Sequence, residues 1–100
     1  MARYLEIDGK NTPKDIHLLG SCVGMRWRKT VLRSGVESFR PYRNYFSTTV
    51  NDPDWLDLEK RGLVDLVSTK KGKDIQTWMV NEQGRKYLGK FFNVNVLPEE

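Results

Sequence analysis

The stretch 62-GLVDLVSTKKGKDIQTWMVNEQGRKYL-88 decides how the rest of the chain is read. Leu63 to Val67 and Ile75 to Val80 are rich in β-branched and large apolar residues, and Ser68 to Asp74 between them contains Gly72. Two such runs around a polar, glycine-bearing turn predict a β-hairpin. On a two-residue alternation Val64 and Leu66 share one side of the first strand. In the second strand Ile75, Thr77 and Met79 share a side, with Trp78 and Val80 opposite. Asn81 follows with a side-chain oxygen suited to capping, and Glu82 falls in the first turn of the helix it would open. Along that helix Tyr87, Leu88, Phe91 and Phe92 form pairs at spacing four. The hairpin tip carries Lys70, Lys71 and Lys73.

Working upstream, "NDPDWLDLEKRG" has both ends of a short helix written into it. Asp52 or Asn51 can cap, Pro53 suits the first position, and Lys60 and Arg61 sit at the negative end before Gly62. The predicted span is 53–61, with Trp55, Leu56 and Leu58 on the apolar side. A helix that short has to be packed to persist. Further up, Thr12-Pro13 predicts a helix over 13–24, with Thr12 as cap and Asp15 in the first turn. Ile16, Leu19 and Val23 recur at helical spacing, Leu18 and Cys22 widen the stripe, and Gly24 ends it. The N-terminal arm, 1–12, opens as a brief strand or extended segment ending at the turn signal Asp8-Gly9, and "NVNVLPEE" reads as a strand-like or loose tail over 93–100.

The middle of the chain is the most basic part. Arg26, Arg28, Lys29, Arg33, Arg40 and Arg43 are interleaved with Trp27, Phe39, Tyr42, Tyr45 and Phe46, and Glu37 is the one acid among them. Pro41 blocks a continuous helix and biases Arg40 to extended geometry. The expectation here is a short helical turn near 28–33 and an irregular segment from 34 to 50.

One hundred residues make one domain with a single modest core. Apolar residues are 38% and charged residues 30%, too apolar for disorder. The lone Cys22 can form no internal disulfide and sits among apolar neighbours, which predicts a buried thiol in a reducing compartment. "MARYLEIDGK" has charges where a leader peptide needs an apolar run. No apolar stretch approaches the ~20 residues of a membrane helix. The expectation is a cytoplasmic protein without membrane association. Its net charge of +4 and pI of 9.3 suit a nucleic-acid partner without requiring one.

The order helix, short helix, hairpin and closing helix predicts an α+β fold. Leu58, Glu59, Gly62 and Leu63, followed by Trp78, Val80, Asn81 and Gly84, resemble the back half of winged-helix repressors of the MarR and PadR kind. In these a recognition helix ends in a leucine, an acid and Gly-Leu before a two-stranded wing. Asn81 stands where that pattern usually has threonine, which keeps the capping chemistry. A second resemblance runs from Ile16 to Leu88. Pro41, Tyr42, Arg43, Asn44 and Phe46 are similar to a Tyr-Arg-Asn-(His)-Phe segment in small phage- and prophage-encoded proteins, with Tyr45 where histidine is common. Together these imply one winged-helix-like domain over 1–100, with about three helices and the hairpin as wing. They also imply a role as a regulatory DNA-binding module, and a homodimer, since such repressors often pair.

On that reading Lys70, Lys71 and Lys73 contact the backbone of double-stranded DNA from the wing. Arg26, Arg28, Lys29 and Arg33 supply a second basic surface. A plainer role exists for each set. Tip lysines keep an edge strand from pairing with another chain, and arginine stems lie on aromatic surface at the rim of a core. Arg43 and Asn44 are read as structural, an arginine fork and an amide that hold an irregular loop by its carbonyls. The helix at 53–61 offers Asp52, Asp54, Asp57 and Glu59 against Lys60 and Arg61, the wrong sign for a phosphate backbone. That mismatch favours a rival, a protein-interaction or phage-assembly component on the same scaffold. His17 has no ligand partner at metal spacing, and the aspartates lack the glycine and glutamate of a calcium loop. No phosphate loop, dinucleotide fingerprint, nucleophile elbow or zinc pattern is present. The expectation is therefore no enzyme, no cofactor, no metal and no catalytic residue.

Overall fold

A computed structural model describes residues 3–7, 11–25, 28–70 and 72–99. It shows an α+β fold with three helices and two three-stranded sheets among those residues. The elements run α1 (Lys14–Cys22), β1 (Val31–Arg33), β2 (Val36–Phe39), β3 (Phe46–Thr49), α2 (Pro53–Lys60), β4 (Val64–Lys70), β5 (Ile75–Val80), α3 (Glu82–Phe92) and β6 (Asn95–Val96).

The deciding hairpin forms. β4 and β5 pair antiparallel, with Val64 opposite Val80 and Leu66 opposite Trp78, so the predicted faces meet. A bulge between Leu66 and Ser68 shifts the register and leaves Val67 exposed. Trp78 and Val80 face the core, where Trp78 stacks on Trp55 of α2 with ring centroids 6.3 Å apart. Phe46 of β3 closes on the same Trp55 at 5.0 Å. An aromatic column thus ties α2 to the sheet β3–β5–β4, each large ring burying apolar area and gaining from its tilted or offset neighbours.

Both helix starts flanking the hairpin use the residues their sequence suggests. The Asp52 carboxylate accepts from Asp54 N–H at 3.0 Å with Pro53 next in line, and Asn81 Oδ1 accepts from Gly84 N–H at 3.0 Å. α1 departs from expectation. It begins at Lys14, with Pro13 rather than Thr12 in the cap position, and the Asp15 carboxylate takes up one first-turn donor, accepting from Ile16 N–H at 2.8 Å. It ends at Cys22, and Gly24 turns the chain at φ +69°. A Cβ there would also lie 2.5 Å from the Tyr42 ring, so Gly24 is required twice over.

The middle segment corrects the sequence reading. Residues 31–39 form a β-hairpin where a helical turn was expected, and Phe46–Thr49 is a strand inside the span expected to be irregular. Ser34 and Gly35 both take positive φ, 51° and 80°, which is the two-residue loop geometry that matches strand twist. β3 owes its form to its partner, pairing residue for residue with β5 from Phe46↔Trp78 to Thr49↔Ile75. The tail contributes β6, which lies parallel to β2 and completes the sheet β1–β2–β6. At the N-terminus Tyr4 bridges Lys29, and Leu5 and Ile7 are buried, so the arm belongs to the core.

That arm is held at a charged clip. Arg3 grips the Glu37 carboxylate with two nitrogens, at 2.9 and 3.0 Å, and the Thr30 hydroxyl donates to it at 2.6 Å. Hydrogen bonds from Arg3 and then Thr30 hold the Glu37 carboxyl at about 2, against an ordinary value of 4.5. A carboxyl depressed in the folded state stabilises above its unfolded value and loses that contribution as pH falls through the folded one. The clip should therefore release progressively between pH 4.5 and about 2. Carboxyl-carbon NMR should place the Glu37 midpoint near 2, and Arg3→Gln should raise it. A wild-type midpoint at the ordinary value would remove the clip.

Candidate nucleic-acid interface

The PYRNYF segment, residues 41–46, is anchored to α1 and β5 by side-chain hydrogen bonds. Asn44 is 7% exposed, and its amide does the work of a strand backbone. Its Nδ2 donates to Val80 O at 2.8 Å and its Oδ1 accepts from Val80 N–H at 2.8 Å. The Cys22 thiol donates to the same Oδ1 at 3.4 Å. Burial pushes that thiol up to about 12, so it stays a neutral donor. One Arg43 terminal nitrogen donates to Ser21 O at 2.8 Å at the end of α1. Arg43 and Asn44 thus bond backbone carbonyls, and Asn44 one backbone N–H as well.

With its backbone fixed, the segment turns Phe46 onto Trp55 and presents its two tyrosines outward. Tyr42 and Tyr45 are exposed. The Arg43 guanidinium lies 5.8 Å from the centroid of each ring, and Arg28 lies 5.4 Å from Tyr42 on its other neighbour. Arg28 also donates to Arg40 O at 3.3 Å, and Arg40 to Pro98 O at 3.1 Å. The result is a row of guanidiniums and phenols, Arg28–Tyr42–Arg43–Tyr45, flanked by Arg40. Such a row can neutralise phosphates and offer ring faces for stacking.

The remaining predicted cations are dispersed. Lys70 ends β4 and Lys73 lies in the turn, both exposed, while Lys71 falls outside the described residues. The tip is braced by Val50 N–H, which donates to Asp74 O at 2.9 Å, so β3 supports the wing along its length. Lys29 sits 5.4 Å from the Tyr4 ring, and Arg33 is exposed at the end of β1. Arg26 and Trp27 lie outside the described residues. The tip lysines and Arg33 therefore belong to different sheets.

α2 uses two of its three acids in ion pairs. Asp54 pairs with Lys14 of α1 at 3.0 Å, and Asp57 with Arg61 at 3.7 Å. Arg61 reaches on to Asp15 at 3.1 Å, Tyr87 O–H donates to the same Asp15 oxygen at 2.5 Å, and Arg61 lies 5.2 Å from the Tyr87 ring. Burial pushes the Asp15 carboxyl up, but hydrogen bonds from Tyr87, Arg61 and Ile16 N–H outweigh it and hold it low. This cluster joins α1, α2 and α3, which makes α2 a packing helix whose Trp55 and Leu58 are buried.

Sequence reasoning overlooked three cations of α3, Arg85, Lys86 and Lys90, because on a helix they read only as a solvated face. Among the described residues no group of His, Cys, Asp and Glu is placed to hold a metal ion, and no helix is long and apolar enough to cross a membrane. Comparison of the chain with protein-family models, curated proteins and solved structures finds no match.

Proposed function

We propose that this is a non-catalytic nucleic-acid-binding module on a winged-helix-like scaffold, of phage or prophage type, acting as a regulator in the host cytoplasm. The observation that carries the reading is the Arg28–Tyr42–Arg43–Tyr45 row, anchored beside Asn44, with both tyrosines exposed and both arginines half-buried between and beside them. A braced hairpin with exposed Lys70 and Lys73 at its tip supports it as the wing. Helices α2 and α3 flank that hairpin as they flank a wing. α2 is not the reading element here, since Asp54 and Asp57 are paired with Lys14 and Arg61, Glu59 is exposed, and its sign would repel phosphates. Contacts of this kind position a protein on a backbone, and base selection is not assigned to any residue.

Fluorescence anisotropy with a labelled DNA duplex tests this. Affinity should fall steeply between about 50 and 200 mM salt, and Lys70→Ala/Lys73→Ala should flatten the log–log slope by about 2. Absence of binding at the lowest salt would favour the rival, an interaction or assembly component. That rival draws its support from Val31, Leu32 and Val36, aliphatic side chains left exposed on the β1–β2 hairpin.

A further inference from the structure

Helix α3 covers only part of the sheet β1–β2–β6. It packs on the β6 segment through Gly89, where a Cβ would lie 2.5 Å from Val94 O. Between the helix and the β1–β2 hairpin a groove of about 720 Å³ remains. Its apolar lining includes Leu32 and Val36, which are 46% and 54% exposed, together with Val94. Its other wall is cationic, made of Arg85, Lys86 and Lys90 on α3.

The charge of this groove is not cancelled from within. Its one carboxylate, Glu37, is occupied by Arg3 and Thr30. Lys86 has an exposed partner one helical turn away, Glu82 at 3.6 Å, an arrangement of little strength. Arg85 and Lys90 pair with no carboxylate among the described residues. No aromatic ring lines the groove, so it has nothing on which a base could stack. Aliphatic surface facing a row of cations is complementary to one kind of ligand, a segment with aliphatic side chains on one side and carboxylates on the other. The volume falls within the ordinary range for a binding cleft.

We infer that the groove between α3 and the β1–β2 hairpin is a docking site for an acidic, aliphatic-bearing peptide segment of a partner protein. The carboxylates face Arg85, Lys86 and Lys90, and the aliphatic side chains cover Leu32 and Val36. This site is separate from the Tyr42–Tyr45 row and from the wing, and stands or falls independently of nucleic-acid binding.

The test uses the whole protein and a labelled synthetic peptide alternating leucine with glutamate, with leucine–lysine and serine–glutamate peptides as controls. Saturable binding of the leucine–glutamate peptide is expected, with amide shifts at residues 32–37 and 85–90. Arg85→Glu/Lys90→Glu should weaken it at least tenfold, and so should replacing leucine by serine in the peptide. Lys70→Ala/Lys73→Ala should leave it unchanged. Both protein variants alter exposed or half-exposed side chains, and their circular dichroism verifies the fold. Absence of saturable binding overturns the proposal, as does equal binding of the serine–glutamate control. Loss of affinity in the wing variant, or displacement by duplex DNA with the same shifts at 85–90, also overturns it.

Discussion

Replacing Gly84 by alanine should destabilise the protein by about 3 kcal/mol, at the upper end of what overpacking a core costs. Helix propensity alone predicts the opposite sign, since alanine is favoured over glycine in a helix by about 1 kcal/mol. The space decides otherwise. A Cβ at position 84 would stand 2.1 Å from Leu63 O and 2.6 Å from Val80 Cγ1. Leu63 O cannot simply retreat, because it accepts from Asn81 N–H at 3.2 Å, and Asn81 also holds Gly62 O at 3.0 Å. The junction of α2, the hairpin and α3 is therefore closed around this one glycine. Urea denaturation of the variant measures the effect, and a stability equal to or above that of the wild type would mean that α3 does not dock there.

Asn44→Ala should be of similar size. It removes the partners of Val80 N–H and Val80 O, both buried, and each unsatisfied group costs about 1–3 kcal/mol. A loss near 3 kcal/mol is expected in denaturant titration, again using the range for buried unpaired groups. Asn44→Asp separates hydrogen bonding from simple filling of space. A protonated carboxyl can both donate to Val80 O and accept from Val80 N–H, whereas the ionised form has no proton to donate. Burial raises the folded-state value of such a carboxyl, so the variant should be least impaired at low pH and lose stability as pH rises. A pH-independent deficit would show that Asn44 acts by shape alone.

What was legible in the chain follows from the range of its interactions. The β4–β5 hairpin, α2 and α3 are announced by neighbouring residues: Asp52 and Pro53, Asn81 and Glu82, and the alternation through Trp78 and Val80. Their causes are local, so composition at short spacing suffices. β1 and β2 were missed although Ser34-Gly35 is a turn dipeptide, because a non-glycine residue at φ 51° is uncommon and the strands on either side are only three and four residues long. β3 has no such signal at all, and β6 only a tail read as strand-like or loose. Phe46–Thr49 is a strand because β5 lies beside it, and Asn95–Val96 because β2 does, at separations no local pattern encodes.

The same distinction holds for the candidate surfaces. An amide next to an arginine was enough to expect a loop held by backbone groups, but not to identify Val80 as its partner 36 residues away. The cations of the middle segment were visible as composition. Their ordering into a row with Tyr42 and Tyr45 depends on Gly24, whose missing side chain lets Tyr42 approach. Arg85 and Lys90 gain meaning only from the unanticipated hairpin opposite them.

A single titration bears most directly on the functional reading. Amide and side-chain NMR shifts of the protein should be followed as duplex DNA is added at low salt. Shifts confined to Arg28, the 40–45 segment and the wing tip at Lys70 and Lys73, with α2 unmoved, are the expected result. Shifts centred on α2, or none anywhere on the protein, would contradict it.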